Sequence, residues 1–298
     1  MKTVGIVGLG LIGGSMGLDL KARGFASRVL GVEQDPLSAD AAVRLGLADE
    51  IVNLDVCVAQ SDIIVVAVPV GTAVKMVPEI LNRIGDFSTT LEMTKEGLDM
   101  TKGAKVVIDV CSTKEQICLA TRYNPNRGRF VSTHPMAGTE YSGPWAAMPN
   151  LFDGRACIFA NPEESDPSAL KIIEEMYAVL NMRPIYMDAA QHDVHTAYVS
   201  HISHITSFAL ALTVLEKEKD EKHIFDLASG GFSSTVRLAK SNADMWVPIL
   251  TQNRDNVLRV IDTYLDKMKE FRDAVAAYDE ARIRELICEA NKIKKIIR

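Results

Sequence analysis

Gly8-Leu9-Gly10-Leu11-Ile12-Gly13 spaces three glycines as GxGxxG, directly after the apolar run Thr3–Gly8 and at the opening of a helical pattern over Ile12–Arg23. A strand that feeds a helix through this spacing is built for a dinucleotide. Gly8 permits the tight turn, Gly10 lets backbone approach a pyrophosphate, and Gly13 lets the helix pack close to the strand. The N–H groups at the helix start, around Leu11 and Ile12, then face the phosphates with the positive end of the dipole. Glu33 closes the next strand, twenty residues after Gly13. A carboxylate there accepts hydrogen bonds from an adenosine ribose, and Gln34-Asp35-Pro36 offers no cation for a 2′-phosphate. The pattern therefore favours NAD over NADP.

Ligands of an open parallel sheet sit beyond the carboxyl ends of its strands. In sequence that edge holds the glycines, Pro69 after Val68, Cys111-Ser112-Thr113-Lys114 after Val110, and His134 to Glu140 after Thr133. Ser112 and His134 thus project toward the nicotinamide end of a bound dinucleotide. His134 there could take a hydroxyl proton while hydride leaves; the plain alternative is a histidine that caps the following turn. Ser112 has its own plain alternative, a helix N-cap before Lys114-Glu115-Gln116-Ile117.

The elements that must position these residues are legible. Thr3–Gly8, Arg28–Glu33, Asp62–Val68, Lys105–Val110, Arg129–Thr133, Ala156–Ala160 and Pro184–Met187 are short apolar runs, mostly separated by helical patterns such as Thr72–Ile84. This predicts an α/β domain with a parallel sheet covered on both faces. Asp166-Pro167-Ser168 opens a helix over Ala169–Leu180. After Asp188 only helical patterns follow: Ala189–Lys217, Lys222–Leu227, Ser234–Ser241, Ala243–Lys269 and Asp273–Ile297. The expected division is 1–188, a dinucleotide-binding domain, and 189–298, an all-helical domain.

Composition removes several function classes. The 298 residues are 47% hydrophobic and 24% charged, with a mean hydropathy of +0.06, ordinary for a globular chain. No run approaches the roughly 18 to 20 apolar residues that span a bilayer, so no membrane is expected. Lys plus Arg is 33 against 39 Asp plus Glu, a net charge of −6, so no nucleic-acid partner is expected. Five cysteines without a CxxC pair read as reduced thiols of a cytoplasmic protein.

His192, His195, His201 and His204 form two His-x-x-His pairs. At about 100° per residue on one continuous helix, His201 falls opposite His192 and His204 opposite His195. The four cannot share one site there, and no metal is expected. His204, with His201, is expected to face the cleft, and His192-Asp193 to serve a helix start. Arg237 on a helix is ordinarily a solvated charge, and Trp246 ordinarily a core residue.

Gly8–Ser15 (GLGLIGGS), Asp109–Lys114 (DVCSTK), His134–Gly143 (HPMAGTEYSG), Ser200–His204 (SHISH) and Gly230–Arg254 (GGFSSTVRLAKSNADMWVPILTQNR) resemble the prephenate/arogenate dehydrogenase family, in the family's order and over almost the whole chain. The resemblance implies a Rossmann-type domain followed by a helical dimerisation domain, hence a homodimer. It also implies NAD-dependent oxidative decarboxylation of prephenate to 4-hydroxyphenylpyruvate in tyrosine biosynthesis. By the same resemblance His134 is the catalytic base, and Ser112 lies near the substrate hydroxyl and nicotinamide. Thr139 and Glu140 shape the pocket rim, His204 contacts substrate, and Arg237 holds a substrate carboxylate.

The chain departs from the pattern in three ways. Cys111 stands where the family usually has glycine. The connection Gly85–Lys102 is longer than usual, with Thr89–Met93 as an extra strand or a flap. The length leaves no room for the regulatory ACT domain or fused chorismate mutase of some relatives. Two other functions compete: arogenate dehydrogenation, and NAD binding without catalysis.

Overall fold

A computed structural model describes residues 1–92, 105–219 and 224–296. One eight-stranded sheet organises the first part: β1 (Lys2–Val7), β2 (Ala26–Val32), β3 (Glu50–Ile51), β4 (Ile63–Val66), β5 (Val106–Asp109), β6 (Phe130–Pro135), β7 (Ala156–Ala160) and β8 (Arg183–Met187). Their spatial order is 3-2-1-4-5-6-7-8. The central strands β4 and β5 are fully buried, Ile63–Val66 and Val106–Asp109 each at 0% exposure. Such residues bury because helices cover both faces: α1 (Leu11–Ala22), α2 (Pro36–Arg44), α3 (Leu54–Gln60), α4 (Val70–Glu92), α5 (Glu115–Thr121) and α6 (Pro167–Val179). Two apolar clusters result, one on each face, around Ile6, Val65 and Phe159 and around Val66, Val107 and Phe130.

The sheet is parallel as expected except at one seam. β6 and β7 run antiparallel, with His134 opposite Ile158, and β8 follows β7 in parallel. A parallel return needs a crossover, usually a helix. Residues 136–155 carry Gly138, Gly143, Pro144, Pro149 and Gly154 and form a loop with only a short 3-10 turn at Pro144–Ala146. The strand therefore comes back the other way. The two-residue β3 was also absent from the expected strands. It pairs with β2 through only two residues, too few to show an apolar run.

The helical part comprises α7 (Ala189–Thr196), α8 (Ile202–Glu218), α9 (Gly230–Thr235), α10 (Ala243–Gln252), α11 (Arg254–Ala276) and α12 (Glu280–Ala290). Two expected helices are broken. The span 243–269 divides at Asn253, which is buried and turned inward, and the span 273–297 divides around Tyr278, at φ +53°. Of the segment 85–102, the part through Glu92 continues α4 as helix, not a strand; Met93 and the remainder lie outside the described residues.

One helix is long and apolar enough by length and average composition to cross a membrane, although it holds no continuous apolar run of that length. The helical course Ala189–Glu218 is 30 residues long and contains an 18-residue window with a mean hydropathy of 1.3, of which 11% is buried. Its polar residues His192, Asp193, Thr196 and His201 turn inward, while Val199, Leu212 and Leu215 are exposed. Exposed apolar side chains thus lie on the outer face of this helix.

Candidate active site

The glycine loop is shaped by packing at two positions and by open space at the third. Gly8 has φ +94°, and a Cβ there would stand 2.6 Å from the Ala67 carbonyl oxygen. A Cβ on Gly13 would stand 2.1 Å from the Gly8 carbonyl oxygen, so α1 could not approach β1 so closely with any side chain. A Cβ on Gly10 would meet nothing nearer than the Gly143 nitrogen at 4.0 Å. Gly10 faces room rather than protein. Helix α1 has no side-chain cap and no acid in its first turn, so its leading N–H groups are left for an anion. Glu33 reaches the same loop: one oxygen accepts from Leu9 N–H at 3.3 Å and the other from Gln34 N–H at 2.9 Å. The residues present fit a dinucleotide's pyrophosphate and ribose. Pro69 sits exposed ahead of α4, its carbonyl taking the N–H groups of Thr72 and Ala73.

At the carboxyl ends of β5 and β6 the chain is pinned from below. Asp109 and Lys114, both fully buried, form an ion pair. Lys114 Nζ also donates to the Thr133 carbonyl at 2.7 Å. Asp109 accepts from Ser132 Oγ at 3.0 Å and from Cys111 N–H at 3.0 Å. Burial opposes the Lys114 charge, yet the Asp109 carboxylate outweighs it and raises the ammonium pKa. The turn carrying Ser112 is thus bolted to β6. Ser112 itself is half-buried. Burial beside Asp109 drives the Cys111 thiol well above its ordinary pKa, so Cys111 is an inert filler under the turn.

His134 is the penultimate residue of β6, and it is half-buried. Its Nδ1 lies 2.8 Å from Nε2 of His192, and His192 Nδ1 lies 2.8 Å from Oδ1 of Asp193. Asp193 accepts from Lys114 N–H at 2.7 Å and from Glu115 N–H at 3.0 Å. Burial, then the neighbouring His192, Lys114 and His201, hold His134 well below the usual imidazole range. Burial takes His192 to about 3 and His201 to about 4. These are neutral rings at pH 7.

The expected helix-start role for His192-Asp193 is corrected in kind. Asp188 caps α7, accepting from Ala190 and Gln191 N–H. Asp193 caps a different helix, α5, which belongs to the sheet-bearing part of the chain. Neither His192 nor Asp193 was among the expected site residues, although the adjacent His-Asp pair was visible in the sequence. The predicted opposition of His192 and His201 also fails, because Ala197–His201 is a π-helical turn. Its wider turn retards the angular advance, and both rings end up 1% exposed. Among the described residues no group of His, Cys, Asp and Glu is arranged to hold a metal.

The rest of the expected site lines the same side. Asn253 Nδ2 bridges the Asp193 carbonyl at 2.6 Å and His201 Nδ1 at 3.2 Å. His201 meets Trp246 edge-on, and Trp246 stacks on His204 with ring centroids 3.6 Å apart. Trp246 is buried, as a core tryptophan would be, but its indole nitrogen has no hydrogen-bond partner among the described residues. Glu140 and Arg237 pair at 2.8 Å, so two residues far apart in sequence meet at one rim. Thr139 and Glu140 line a cleft of about 460 Å³ with Tyr141, Ser142, Trp145 and Met148.

The description "Prephenate dehydrogenase, nucleotide-binding domain" matches residues 16–94 and 87–186, and "Prephenate dehydrogenase, dimerization domain" matches 188–289. The chain belongs to the prephenate dehydrogenase family. A prephenate dehydrogenase of Lactococcus lactis is 30% identical over 99% of this chain and 77% of its own length. A cyclohexadienyl dehydrogenase of Zymomonas mobilis is 26% identical over 98% and 95%. The Aquifex aeolicus prephenate dehydrogenase, solved with hydroxyphenyl propionate and NAD+, superposes with a TM-score of 0.83 at 28% identity, covering 100% of this chain and 99% of that one. An arogenate dehydrogenase from Synechocystis superposes with a TM-score of 0.72 at 25% identity, covering 98% and 99%. Family membership makes the chain an oxidoreductase, with a mostly parallel nucleotide-binding sheet followed by a helical part.

Proposed function

We propose that this NAD-dependent oxidoreductase is a prephenate dehydrogenase, converting prephenate to 4-hydroxyphenylpyruvate and CO2. The observation that carries the reading is a neutral imidazole, His134, on the strand-end edge that also bears Gly8–Gly13. Bound NAD supplies the hydride acceptor. His134 accepts the hydroxyl proton as the carbon–hydrogen bond breaks. The ketone so formed draws electrons from the ring carboxylate, CO2 departs, and the ring becomes aromatic. Ser112, at the end of β5 beside this edge, hydrogen-bonds near the reacting hydroxyl and the nicotinamide. Gly8, Gly10, Leu11, Ile12 and Gly13 hold the pyrophosphate, Glu33 the ribose, and Pro69 borders the nucleotide.

Arg237 holds a substrate carboxylate, sharing its guanidinium with Glu140 at the rim; Thr139 and His204 complete the substrate contacts. The buried neutral histidines matter here, since a charged ring beside His134 would make it a poorer base. Residues 1–188 form the NAD-binding domain and 189–298 the substrate and dimerisation domain. The outward face of Val199, Leu212 and Leu215 supports a homodimer through the helical part. The free thiols suit the cytoplasm.

Arogenate is the second reading, and the Glu140 carboxylate at the rim favours it, since arogenate carries an ammonium where prephenate has a keto group. That carboxylate is already engaged by Arg237, which ranks prephenate first. The test is NADH formation from prephenate and from arogenate, with NAD and with NADP, for the parent and His134→Ala. Prephenate with NAD should give the highest kcat/KM, and His134→Ala should lose about 10²–10⁴-fold in kcat. Equal or better kcat/KM on arogenate would reverse the ranking. NAD binding without turnover would leave a non-catalytic regulator.

A further inference from the structure

Four groups stand in line from the sheet edge to a helix start: His134 on β6, His192 and Asp193 on α7, and the Lys114 and Glu115 N–H groups at the beginning of α5. Each step has a definite donor and acceptor. The two backbone N–H groups can only donate, so both Asp193 oxygens accept, at 2.7 and 3.0 Å. His192 Nδ1, 2.8 Å from Asp193 Oδ1, must then carry a hydrogen. Burial keeps the His192 ring neutral, and a neutral imidazole protonated on Nδ1 has its lone pair on Nε2. His134 Nδ1, 2.8 Å from that Nε2, must be the donor. With Asp193 ionised and His192 neutral, any other assignment sets two lone pairs or two hydrogens face to face.

We propose that His192 and Asp193 are positioning residues that hold His134 in the Nδ1–H tautomer, so that its Nε2 carries the lone pair offered to the substrate hydroxyl. The proposal rests on the reading of His134 as the base. Free histidine in water exchanges both tautomers, so a base without such a chain spends part of its time with the reactive nitrogen already protonated. The chain has a second effect once His134 takes the proton. The new positive charge lies at one end of a hydrogen-bonded line that ends on a carboxylate, as in the Asp–His pairs of hydrolases. The neighbouring Lys114 and His201 oppose that charge, and the Asp193 carboxylate at the end of the line offsets them.

This arrangement also places control of the base at the junction of the two parts. The carboxylate that orients His134 through His192 comes from the first helix of the helical part. The N–H groups that orient the carboxylate come from the helix that follows the Ser112 turn. A displacement of α7 against α5 would therefore release the tautomer and the Ser112 turn together.

The test separates positioning from folding. Long-range proton–nitrogen NMR spectra of the labelled full chain at neutral pH report which His134 nitrogen carries hydrogen, without any turnover. The expected result is hydrogen on Nδ1 and a bare Nε2 in the parent protein. In His192→Leu, which offers no acceptor, His134 should populate the Nε2–H form, and kcat should fall about 10- to 100-fold with KM and NAD affinity unchanged. In His192→Gln, whose amide oxygen can accept, the Nδ1–H tautomer and part of kcat should return. Hydrogen on Nε2 in the parent protein, or a His192→Leu variant that keeps both tautomer and kcat, would overturn the proposal. Equal kcat losses in the Leu and Gln variants with an unchanged tautomer would also overturn it. If the parent turns over neither prephenate nor arogenate, the functional reading fails while the spectra still decide the tautomer.

Discussion

Asp109→Asn keeps the shape of the side chain and removes its charge, which leaves Lys114 as an ammonium in a site with no exposure. The remaining contact, Nζ to the Thr133 carbonyl at 2.7 Å, cannot replace a carboxylate. Breaking a buried pair by removing one partner costs about 3–5 kcal/mol. Against a typical total of roughly 5–15 kcal/mol, that is a large fraction. The second variant, Asp109→Asn with Lys114→Met, removes the stranded charge as well, and should recover at least half of the loss. Urea denaturation followed by far-UV circular dichroism gives the cycle.

The pH dependence adds a signature with a definite sign. In the parent, Asp109 raises the Lys114 pKa above its unfolded value, so the stabilisation persists below that value and fades only as pH rises through the folded pKa. In Asp109→Asn, burial is left unopposed and depresses the folded pKa. The unfolded state then binds the extra proton, and stability should climb as pH rises toward about 10. A single variant within 1 kcal/mol of the parent, or a double variant as damaged as the sum of the singles, would refute the argument that this pair is a coupled unit.

The two glycines should separate binding from packing. Gly10→Ala, facing open space, should melt close to the parent temperature but weaken NAD binding by calorimetry. Gly13→Ala, 2.1 Å from a backbone oxygen, should lose about 1–3 kcal/mol. Arg237→Leu should raise KM for prephenate with little change in Tm, since a solvent-screened ion pair at the rim adds little to stability. Acidification should destabilise the fold: His192 and His201 sit at about 3 and about 4, below the unfolded value. The unfolded chain therefore takes up protons first as pH falls through about 6.5. Lowering pH from 7 to 4 should remove on the order of 3 kcal/mol through His192 alone, and a flat denaturation midpoint over that range would contradict the neutral buried rings.

Much of this was local in the chain. Gly8, Gly10 and Gly13 between an apolar strand and a helix specify their own turn, because glycine spacing answers to backbone geometry. Consecutive apolar runs such as Ile63–Val66 announce a doubly covered sheet, because only burial on both faces tolerates them. The strand ends then place His134 and Ser112 on one edge without any long-range knowledge. What lay beyond the sequence involves residues that meet only after folding. β7 turns antiparallel because the loop 136–155 contains no crossover helix. His192 and His201 share one side because a π-helical turn retards the helix. Glu140 finds Arg237 ninety-seven residues away. Asp193 looks in sequence like the start of its own helix, yet its carboxylate serves the N–H groups of α5. A carboxylate's hydrogen-bonding capacity is a property of its residue type, but the donor that fills it is chosen by packing, and here packing of α7 against α5 made that choice.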